Sequence, residues 1–546
     1  MTKYILEDLE EPSQNEDVSE EENHTSNNES VDSSDDNYSD EGDNVDTEIV
    51  LSKDGTVIWN SCPIQKNKRI LSANIIKKIP GVTIYATSRI YDIKSSFEAV
   101  FDYTVEKEII NFTNAEGRRV YGDKWKDMEI SLFQAYVGIL LLAGVYRSNG
   151  EATKSLWDKQ TGRPIFRATM SHETFEMISR VTRLDNKSTR QERRKRDKLA
   201  AVRDIWEKWI DVLPKLCNPS ENVTVDEQLV AFRGRCPFKQ YIPSKPAKYG
   251  IKIWALCDSK NSYLYQAQIY TGKEVGAKPE KNQGMRVVAD LTKDLKGQNV
   301  TCDNFFTSYK LGTLLLKRGI TMLGTVRKNK AELPEFKNKE LHGTSFYFTK
   351  DTTILNYVAK KHKNVLLMST SHSDRAISGR DDKKPQMILD YNETKGAVDT
   401  LDQLVATYTC KRKTNRWPMI VFYHMLDVSA YNAFVLWTSI YSEWNKNCMY
   451  KRRIFLEKLG FSLIEKHIAS RTYIPRTAEA FSIVKSVKEK YQEKPDVSIN
   501  PKHKKRARCF FCETKNDNKT SFTCSSCNKY ICKIHVTYYC PNCEGL

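Results

Sequence analysis

Basic residues are almost missing from the first fifty positions, where Lys3 stands alone against 18 acids. That stretch also has few large apolar side chains, so burial cannot offset the entropy of ordering it. Residues 1–50 are therefore predicted to be a disordered acidic tail. No cationic start is followed by an apolar run, and secretion is not expected. Long uninterrupted apolar runs are missing too. Leu132 to Val145 is too short for a bilayer, and Met419 to Ile440 is broken by His424, Asp427 and Asn432. Both read as buried helices. Cysteine is sparse before residue 509, with seven single positions from Cys62 to Cys448, a pattern of unpaired core thiols inside a cell rather than a disulfide framework.

What remains is a large globular chain. Of 546 residues, 40% are hydrophobic and 10% aromatic, enough for several cores and three or more domains. Outside the tail, 85 bases face 51 acids, leaving +34 on residues 51–546. A basic body of this kind suggests a polyanionic partner. The tail is readable as a solvating segment or as a competitor of that partner for the body.

Helical periodicity runs from about 85 to 215, clearest at Phe97–Val105, Met128–Tyr146, His172–Arg183 and Leu199–Leu213. The basic run Arg190 to Arg196 lies between two of these. From about 222 the period changes. Strands are predicted at Val223–Phe232, at Gly250–Cys257 and Tyr263–Tyr270 as a hairpin, at Asn299–Asp303 and at Thr321–Arg327, with helices at Met285–Leu295 and Ser308–Lys317. This order points to a mixed α/β sheet. Short strands at Thr353–Tyr357 and Val365–Met368 follow within 328–390, which reads as an insertion. Helices resume at Lys395–Thr407, Met419–Trp444 and Tyr450–Glu457, and residues 485–508 read as a basic linker.

Three acids occupy places that call for a partner. Asp226 interrupts an apolar β run, Asp303 ends one, and Asp399 with Asp402 share a helix face at i, i+3 spacing. Carboxylates converging from two strands and a helix repel one another unless a cation lies between them. Mg²⁺ favours such oxygens and leaves positions for phosphates, and two ions can drive an in-line phosphoryl displacement. By spacing alone, isolated acids at strand ends are more commonly turn or cap residues, the reading given to Asp258 in the hairpin link. Arg233, Arg235, Lys239, Lys245 and Lys248 follow the first acid, and Lys411, Arg412, Lys413, Arg416 and Trp417 follow the third. These cations suit a phosphate backbone with salt-dependent binding. Trp417 is readable either as a base-stacking side chain or as a core residue.

The last 38 residues read Cys509-x2-Cys512-x11-Cys524-x2-Cys527-x4-Cys532-x2-His535-x4-Cys540-x2-Cys543. Four ligand pairs suit two tetrahedral Zn²⁺ ions. Interleaved pairing is expected, Cys509, Cys512, Cys532 and His535 on one ion and Cys524, Cys527, Cys540 and Cys543 on the other, with sequential pairing as the alternative. A module this short takes its folding energy from the metal. Cross-brace modules of this kind recruit ubiquitin-conjugating enzymes or bind histone tails. The preceding Lys502-x-Lys504-Lys505-Arg506-x-Arg508 fits phosphate contact and nuclear import alike.

Seven segments resemble the piggyBac transposase family: Asp226-Glu-Gln-Leu, Phe232-Arg-Gly-Arg-Cys-Pro-Phe238, Tyr241-Ile-Pro-Ser-Lys-Pro-Ala-Lys-Tyr-Gly-Ile-Lys252, Thr301-Cys-Asp-Asn-Phe-Phe-Thr-Ser308, Gly324-Thr-Val-Arg327, Lys395-Gly-Ala-Val-Asp-Thr-Leu-Asp-Gln403 and Lys413-Thr-Asn-Arg-Trp-Pro418. The resemblance runs from about residue 85 onward. It implies an α/β RNase H-like catalytic core (222–327 and 391–409) with an insertion (328–390). An α-helical dimerisation and DNA-binding domain (85–221 and 410–484) would embed that core, and a small zinc-binding domain (509–546) would follow the 485–508 linker. It further implies a metal triad of Asp226, Asp303 and Asp399 with Asp402 in support, and target-DNA contacts at Arg327 and Lys330. The implied activity is a Mg²⁺-dependent, nuclear, dimeric cut-and-paste transposase acting on double-stranded DNA at TTAA, by nicking, hairpin formation and strand transfer. A domesticated descendant that binds DNA without cutting it is the alternative.

Overall fold

The computed structural model describes residues 48–64, 76, 78–272, 280–338, 340–491, 506–523 and 529–536. Among them, one eleven-stranded sheet organises the chain. Its centre is three parallel strands, Asn222–Ala231, Asn299–Cys302 and Thr321–Thr325, with Asn299–Cys302 in the middle. Tyr249–Asp258 pairs antiparallel on the outer side of Asn222–Ala231, and Leu264–Ile269 pairs antiparallel to Tyr249–Asp258. Numbered by chain order, these five strands lie 3-2-1-4-5.

The predicted hairpin is present, and Asp258 is its turn residue. The Asp258 carboxylate accepts from the Ser220 amide at 2.5 Å, the Ser220 hydroxyl at 3.0 Å and the Lys260 amide at 2.7 Å. Helices Gln283–Leu291 and Tyr309–Lys317 connect the parallel strands, as such crossovers require.

Residues 328–390, expected as an insertion, add to the same sheet. Strand Lys363–Ser369 pairs antiparallel with Thr321–Thr325, Thr353–Lys360 pairs with Lys363–Ser369, and Thr344–Phe348 pairs with Thr353–Lys360. The short strands Ile49–Leu51 and Ile58–Asn60 extend this edge.

The helical segments on either side of the sheet sequence pack together. Ile130–Val145 is buried on almost every face and lies against Lys451–Ser470. Glycines make that crossing close: a Cβ on Gly138 would sit 2.6 Å from Ile464 Cγ2 and 2.8 Å from the Gly460 carbonyl. Helix Trp417–Ile440 is apolar and long enough for a bilayer, yet lies buried in the protein, where Ser429 Oγ accepts from Trp209 Nε1 at 2.9 Å.

Two helix limits differ from expectation for identifiable reasons. The predicted Phe97–Val105 helix divides into Ile93–Val100 and Tyr103–Tyr121, because Asp102 caps a new start by accepting from the Val105 amide at 2.9 Å. The expected linker begins as helix Ala478–Tyr491, whose Ala480, Val484 and Val487 are buried at helical spacing. Within the basic run, Arg190 and Arg193 close on the buried carboxylate of Asp185. The acidic segment 1–47 lies outside the described residues, as do 492–505, which hold Lys502, Lys504 and Lys505.

Candidate active site and zinc centre

Strand register brings the first two acids side by side. The parallel ladder between Asn222–Ala231 and Asn299–Cys302 ends at the pair Val225 and Cys302. Asp226 and Asp303 are the next residue on each chain. Neighbouring strands are about 4.8 Å apart, so both carboxyls leave the sheet at one point. Side chains alternate between faces, which puts Thr224, Asp226 and Gln228 on one face, with Thr301 and Asp303 beside them.

Helices cover that face. Thr224 Oγ1 donates to the Thr394 carbonyl at 2.5 Å, and Thr301 Oγ1 lies 2.7 Å from Thr394 Oγ1, which ties down the end of helix Gln386–Thr394. Helix Ala397–Thr407 follows and carries Asp399 in its first turn. Gln228, fully buried, donates through Nε2 to Asp402 Oδ1 at 2.8 Å and so couples this helix to the strand of the first acid. Asp226 and Asp303 thus lie side by side at one end of the parallel strands, and the helix carrying Asp399 and Asp402 is tied to the first-acid strand through Gln228.

Burial shapes their chemistry. Asp226 is pushed up to about 7, chiefly by desolvation and then by the nearby carboxylates of Asp303 and Glu227. The Glu227 amide, at 2.7 Å, opposes the shift. Desolvation likewise raises Asp303, against hydrogen bonding from the Phe305 amide at 2.9 Å. Asp402 rises to about 6 for the same leading reason, with Lys245 opposing.

One cation enters this cluster. Lys245 Nζ lies 3.1 Å from Asp399 Oδ1, and its charge also acts on Asp226 and Asp402. It is delivered by the tight 242–248 turn, closed by the Ile242 amide donating to Lys248 O at 2.8 Å and the Lys248 amide donating to Lys245 O at 3.0 Å. Its side chain is 20% exposed, that of Asp399 65%. Lys245 was expected on DNA, but here it pairs with the third acid.

The donor set fits a hard divalent ion. It consists of carboxylate oxygens only, and burial drives Asp226, Asp303 and Asp402 toward protonation. Asp226, Asp303 and Asp399 would hold such ions, with Asp402 supporting Asp399 one turn along.

The predicted basic positions fall into two groups. Arg233, Arg235, Lys248, Arg327 and Lys413 are exposed, and Lys330 is half-buried. Arg327 Nε donates to Asn304 Oδ1 at 3.0 Å, which holds it beside the second acid. The others serve the protein interior. Arg412 is buried and donates to the Ser148 and Glu151 carbonyls. Arg416 donates to the carbonyls of Ser179 at 3.0 Å, Arg180 at 3.1 Å and Thr182, which caps the end of helix His172–Val181. Lys411 Nζ donates to the Ala231 carbonyl, and Lys239 Nζ to those of Arg233 and Gly234. Arg412, Arg416 and Lys411, expected on DNA, here act as braces, because buried and half-buried guanidinium and ammonium groups spend their donors on nearby carbonyls. Trp417 is half-buried against Phe238, edge to face at 5.0 Å between ring centroids, in keeping with its core reading.

Near the C-terminus the structure assembles Cys509, Cys512, Cys532 and His535, with all four ligand atoms within 4.8 Å of one another. Cys512 Sγ is 3.6 Å from Cys532 Sγ, and His535 Nδ1 is 3.7, 3.5 and 3.3 Å from Cys509, Cys512 and Cys532. A tetrahedral Zn²⁺ with bonds near 2.3 Å to sulfur and 2.0 Å to nitrogen gives edges of roughly 3.5–3.8 Å. The set fits zinc, with Nδ1 as the histidine ligand. This grouping matches one half of the interleaved pairing. Cys524, Cys527, Cys540 and Cys543 lie outside the described residues.

Sequence reading missed Gln228 and Thr394, which tie the acids' elements together, Asn304, which holds Arg327, and the pairing of Lys245. Only the alternation of Thr224, Asp226 and Gln228 along one strand gave a signal for the first of these.

Known proteins resemble this chain in sequence and fold. The family model described as Transposase IS4 matches residues 94–434. Human PiggyBac transposable element-derived protein 2 is 23% identical over 421 residues, covering 68% of this chain and 67% of that protein. Human PiggyBac transposable element-derived protein 3 is 25% identical over 334 residues, covering 56% of this chain and just over half, 55%, of that relative. Among solved structures, a cryo-EM structure of a piggyBac transposase synaptic complex with hairpin DNA matches with a TM-score of 0.69 and 33% identity, covering 85% of this chain and 100% of that one.

Proposed function

We propose, because the chain belongs to the piggyBac transposase family, that it is a cut-and-paste DNA transposase acting at TTAA sites. The observation that carries this reading is the meeting of Asp226 and Asp303 just beyond a parallel ladder, with Asp399 and Asp402 brought over them by a helix moored through Gln228. The 3-2-1-4-5 strand order supports an RNase H-like core. Two Mg²⁺ ions, when bound, would supply Lewis-acid activation of the attacking oxygen and neutralise the leaving one.

The chain's own residues do the rest. Asp226 and Asp303 fix one side of the site on rigid strands, and Asp399 closes it from the helix. Exposed Arg233, Arg235, Lys248, Arg327 and Lys413, with half-buried Lys330, would draw the phosphate backbone across it. The reaction would run as nicking at the transposon 3′ ends, attack of the freed 3′-OH on the opposite strand to give a hairpin, hairpin opening and joining to TTAA. The neighbouring synaptic complex with hairpin DNA supports binding to double-stranded DNA. We propose in addition a dimer, nuclear localisation through the basic run before Cys509, and two Zn²⁺ ions in a C-terminal module that engages transposon-end DNA.

The test uses linear duplex ending in the inverted repeats that flank the encoding gene, incubated with protein and Mg²⁺. Nicks and hairpins are expected. Asp226→Asn, Asp303→Asn and Asp399→Asn should each bind DNA and cut none. Binding without cleavage by the unaltered protein would replace this reading with that of a DNA-binding descendant.

A further inference from the structure

The helix that carries Asp399 and Asp402 is held at its two ends by different parts of the chain. Its entry is tied to the sheet through Thr394, and Gln228 grips Asp402 in its middle. Its exit is held by the helical segments. The chain just past it crosses helix Ile130–Val145 so closely that a Cβ on Gly144 would collide with the Tyr408 carbonyl oxygen and lie 2.9 Å from that of Thr409. Asp427, on helix Trp417–Ile440, accepts from Thr409 Oγ1 at 2.6 Å and from the Cys410 amide at 2.8 Å. These contacts fix the residues that follow the helix.

Arg452 grips the helix itself. It lies at the start of helix Lys451–Ser470, and its Nη1 donates to the Leu404 carbonyl at 3.0 Å. In Ala397–Thr407 that carbonyl is one of the last four, which a helix leaves without an internal donor, so the guanidinium acts as a cap and its charge suits the negative end of the helix dipole. The guanidinium lies over the Tyr408 ring, 5.0 Å from its centroid. About 20 Å³ of free space remains between Leu404, Tyr408, Tyr431 and Arg452, room for one water.

Leverage carries this contact to the acid. At 1.5 Å per residue, Asp402 lies about 3 Å along the axis from Leu404 and about 4.5 Å from Asp399. The Gln228 bond to Asp402 is thus a pivot, and a displacement of about 1 Å at Leu404 moves Asp399 by about 1.5 Å the other way. Lys395 and Gly396, two turn residues between Thr394 and the helix, give its start the freedom to follow. The Asp399 side chain is 65% exposed, so packing around it does little to resist.

We propose that Arg452 is a positioning residue for the third acid: by capping the far end of helix Ala397–Thr407 it holds Asp399 in its place in the site. The proposal rests on the transposase reading and deepens it. Misplacing a reacting group by about 1 Å can cost about a hundredfold in rate.

The test compares two arginines of one helix. Arg471, at the other end of Lys451–Ser470, makes the same kind of cap on helix Pro164–Thr169, which carries no acid, by donating to the Arg167 carbonyl at 2.7 Å and the Ala168 carbonyl at 2.5 Å. Arg452→Met and Arg471→Met keep most of the stem and remove the donors, while Arg452→Lys keeps the charge. Mn²⁺ binding is titrated without DNA, and nicking is measured on linear transposon-end duplex with Mg²⁺. Both Met variants should melt earlier than the parent. Arg452→Met should bind Mn²⁺ about tenfold more weakly and show a kcat about 10- to 100-fold lower with KM for DNA unchanged, and Arg452→Lys should return to within about threefold of the parent. Arg471→Met should match the parent in both measurements. Tyr408→Leu removes the ring beneath the guanidinium and should weaken Mn²⁺ binding by about threefold, which decides the matter should Arg452→Met fail to fold. Parent-like Mn²⁺ binding and kcat in Arg452→Met, or equal losses in Arg471→Met, would overturn the positioning role and leave the transposase reading in place. An unaltered protein that nicks no duplex removes the transposase reading, and the Mn²⁺ titrations then decide the role of Arg452 alone.

Discussion

Lys245 stands where a divalent ion would act, and replacing it should tighten metal binding. Lys245→Met keeps most of the stem of a side chain that is only 20% exposed but deletes the charge 3.1 Å from Asp399 Oδ1. Two unit charges at that separation attract by roughly 5 kcal/mol at an effective dielectric of 20 and by roughly 1 kcal/mol in water. The Asp399 side chain is 65% exposed, so the screened end of that range applies, about 1–2 kcal/mol. Lys245 also acts on Asp226 and Asp402, so its charge opposes an incoming cation at three of the four acids.

The expected result is Mn²⁺ bound about 5- to 30-fold more tightly by Lys245→Met than by the unaltered protein. Isothermal titration or electron paramagnetic resonance reads this without DNA and without turnover. Lys245→Arg keeps the charge and should stay near the parent. The measurement belongs at pH 8, because removing Lys245 also lifts the acids it now holds down, and protons would compete at lower pH. Unchanged or weaker Mn²⁺ binding by Lys245→Met would refute the idea that this ammonium competes with metal.

Other outcomes follow from the same contacts. The folded Asp226 carboxyl titrates near 7 rather than 3.8, so the folded chain holds an extra proton between those values and its stability falls as pH rises through them. Metal-free Asp226→Asn should therefore be more stable than the parent by about 1–3 kcal/mol at pH 8, with the gap closing near pH 4, as read by denaturant titration. Arg416→Ala strips three carbonyls at a helix end of their donor and should cost about 2–4 kcal/mol with no change in the salt slope of DNA binding. Arg233→Ala, at an exposed site, should leave the melting temperature alone and reduce that slope by about one. Gly138→Ala forces a Cβ onto the Gly460 carbonyl and Ile464, and should destabilise by about 1–3 kcal/mol in thermal melts.

Residues were readable in sequence to the extent that their roles are local. Asp226 and Asp303 stood out because each puts a charge where an apolar strand should continue, and the zinc ligands because short ligand spacings survive any fold. Charge type alone could not sort the cations around them. Arg412, Lys413 and Arg416 lie within five positions in one basic run, yet Lys413 faces solvent while Arg412 and Arg416 each reach carbonyls more than 230 residues earlier in the chain. Nothing within those five positions encodes the carbonyls of helix His172–Val181 that need capping. Lys245 is the same case reversed. It has the composition of a DNA contact, and only the packing of a turn against helix Ala397–Thr407 turns it into the counter-charge of an acid. Where a cation's partner is supplied by tertiary structure, burial decides between brace, counter-ion and DNA contact. The exposed arginines and lysines are thus the set on which a salt-dependence experiment should be spent.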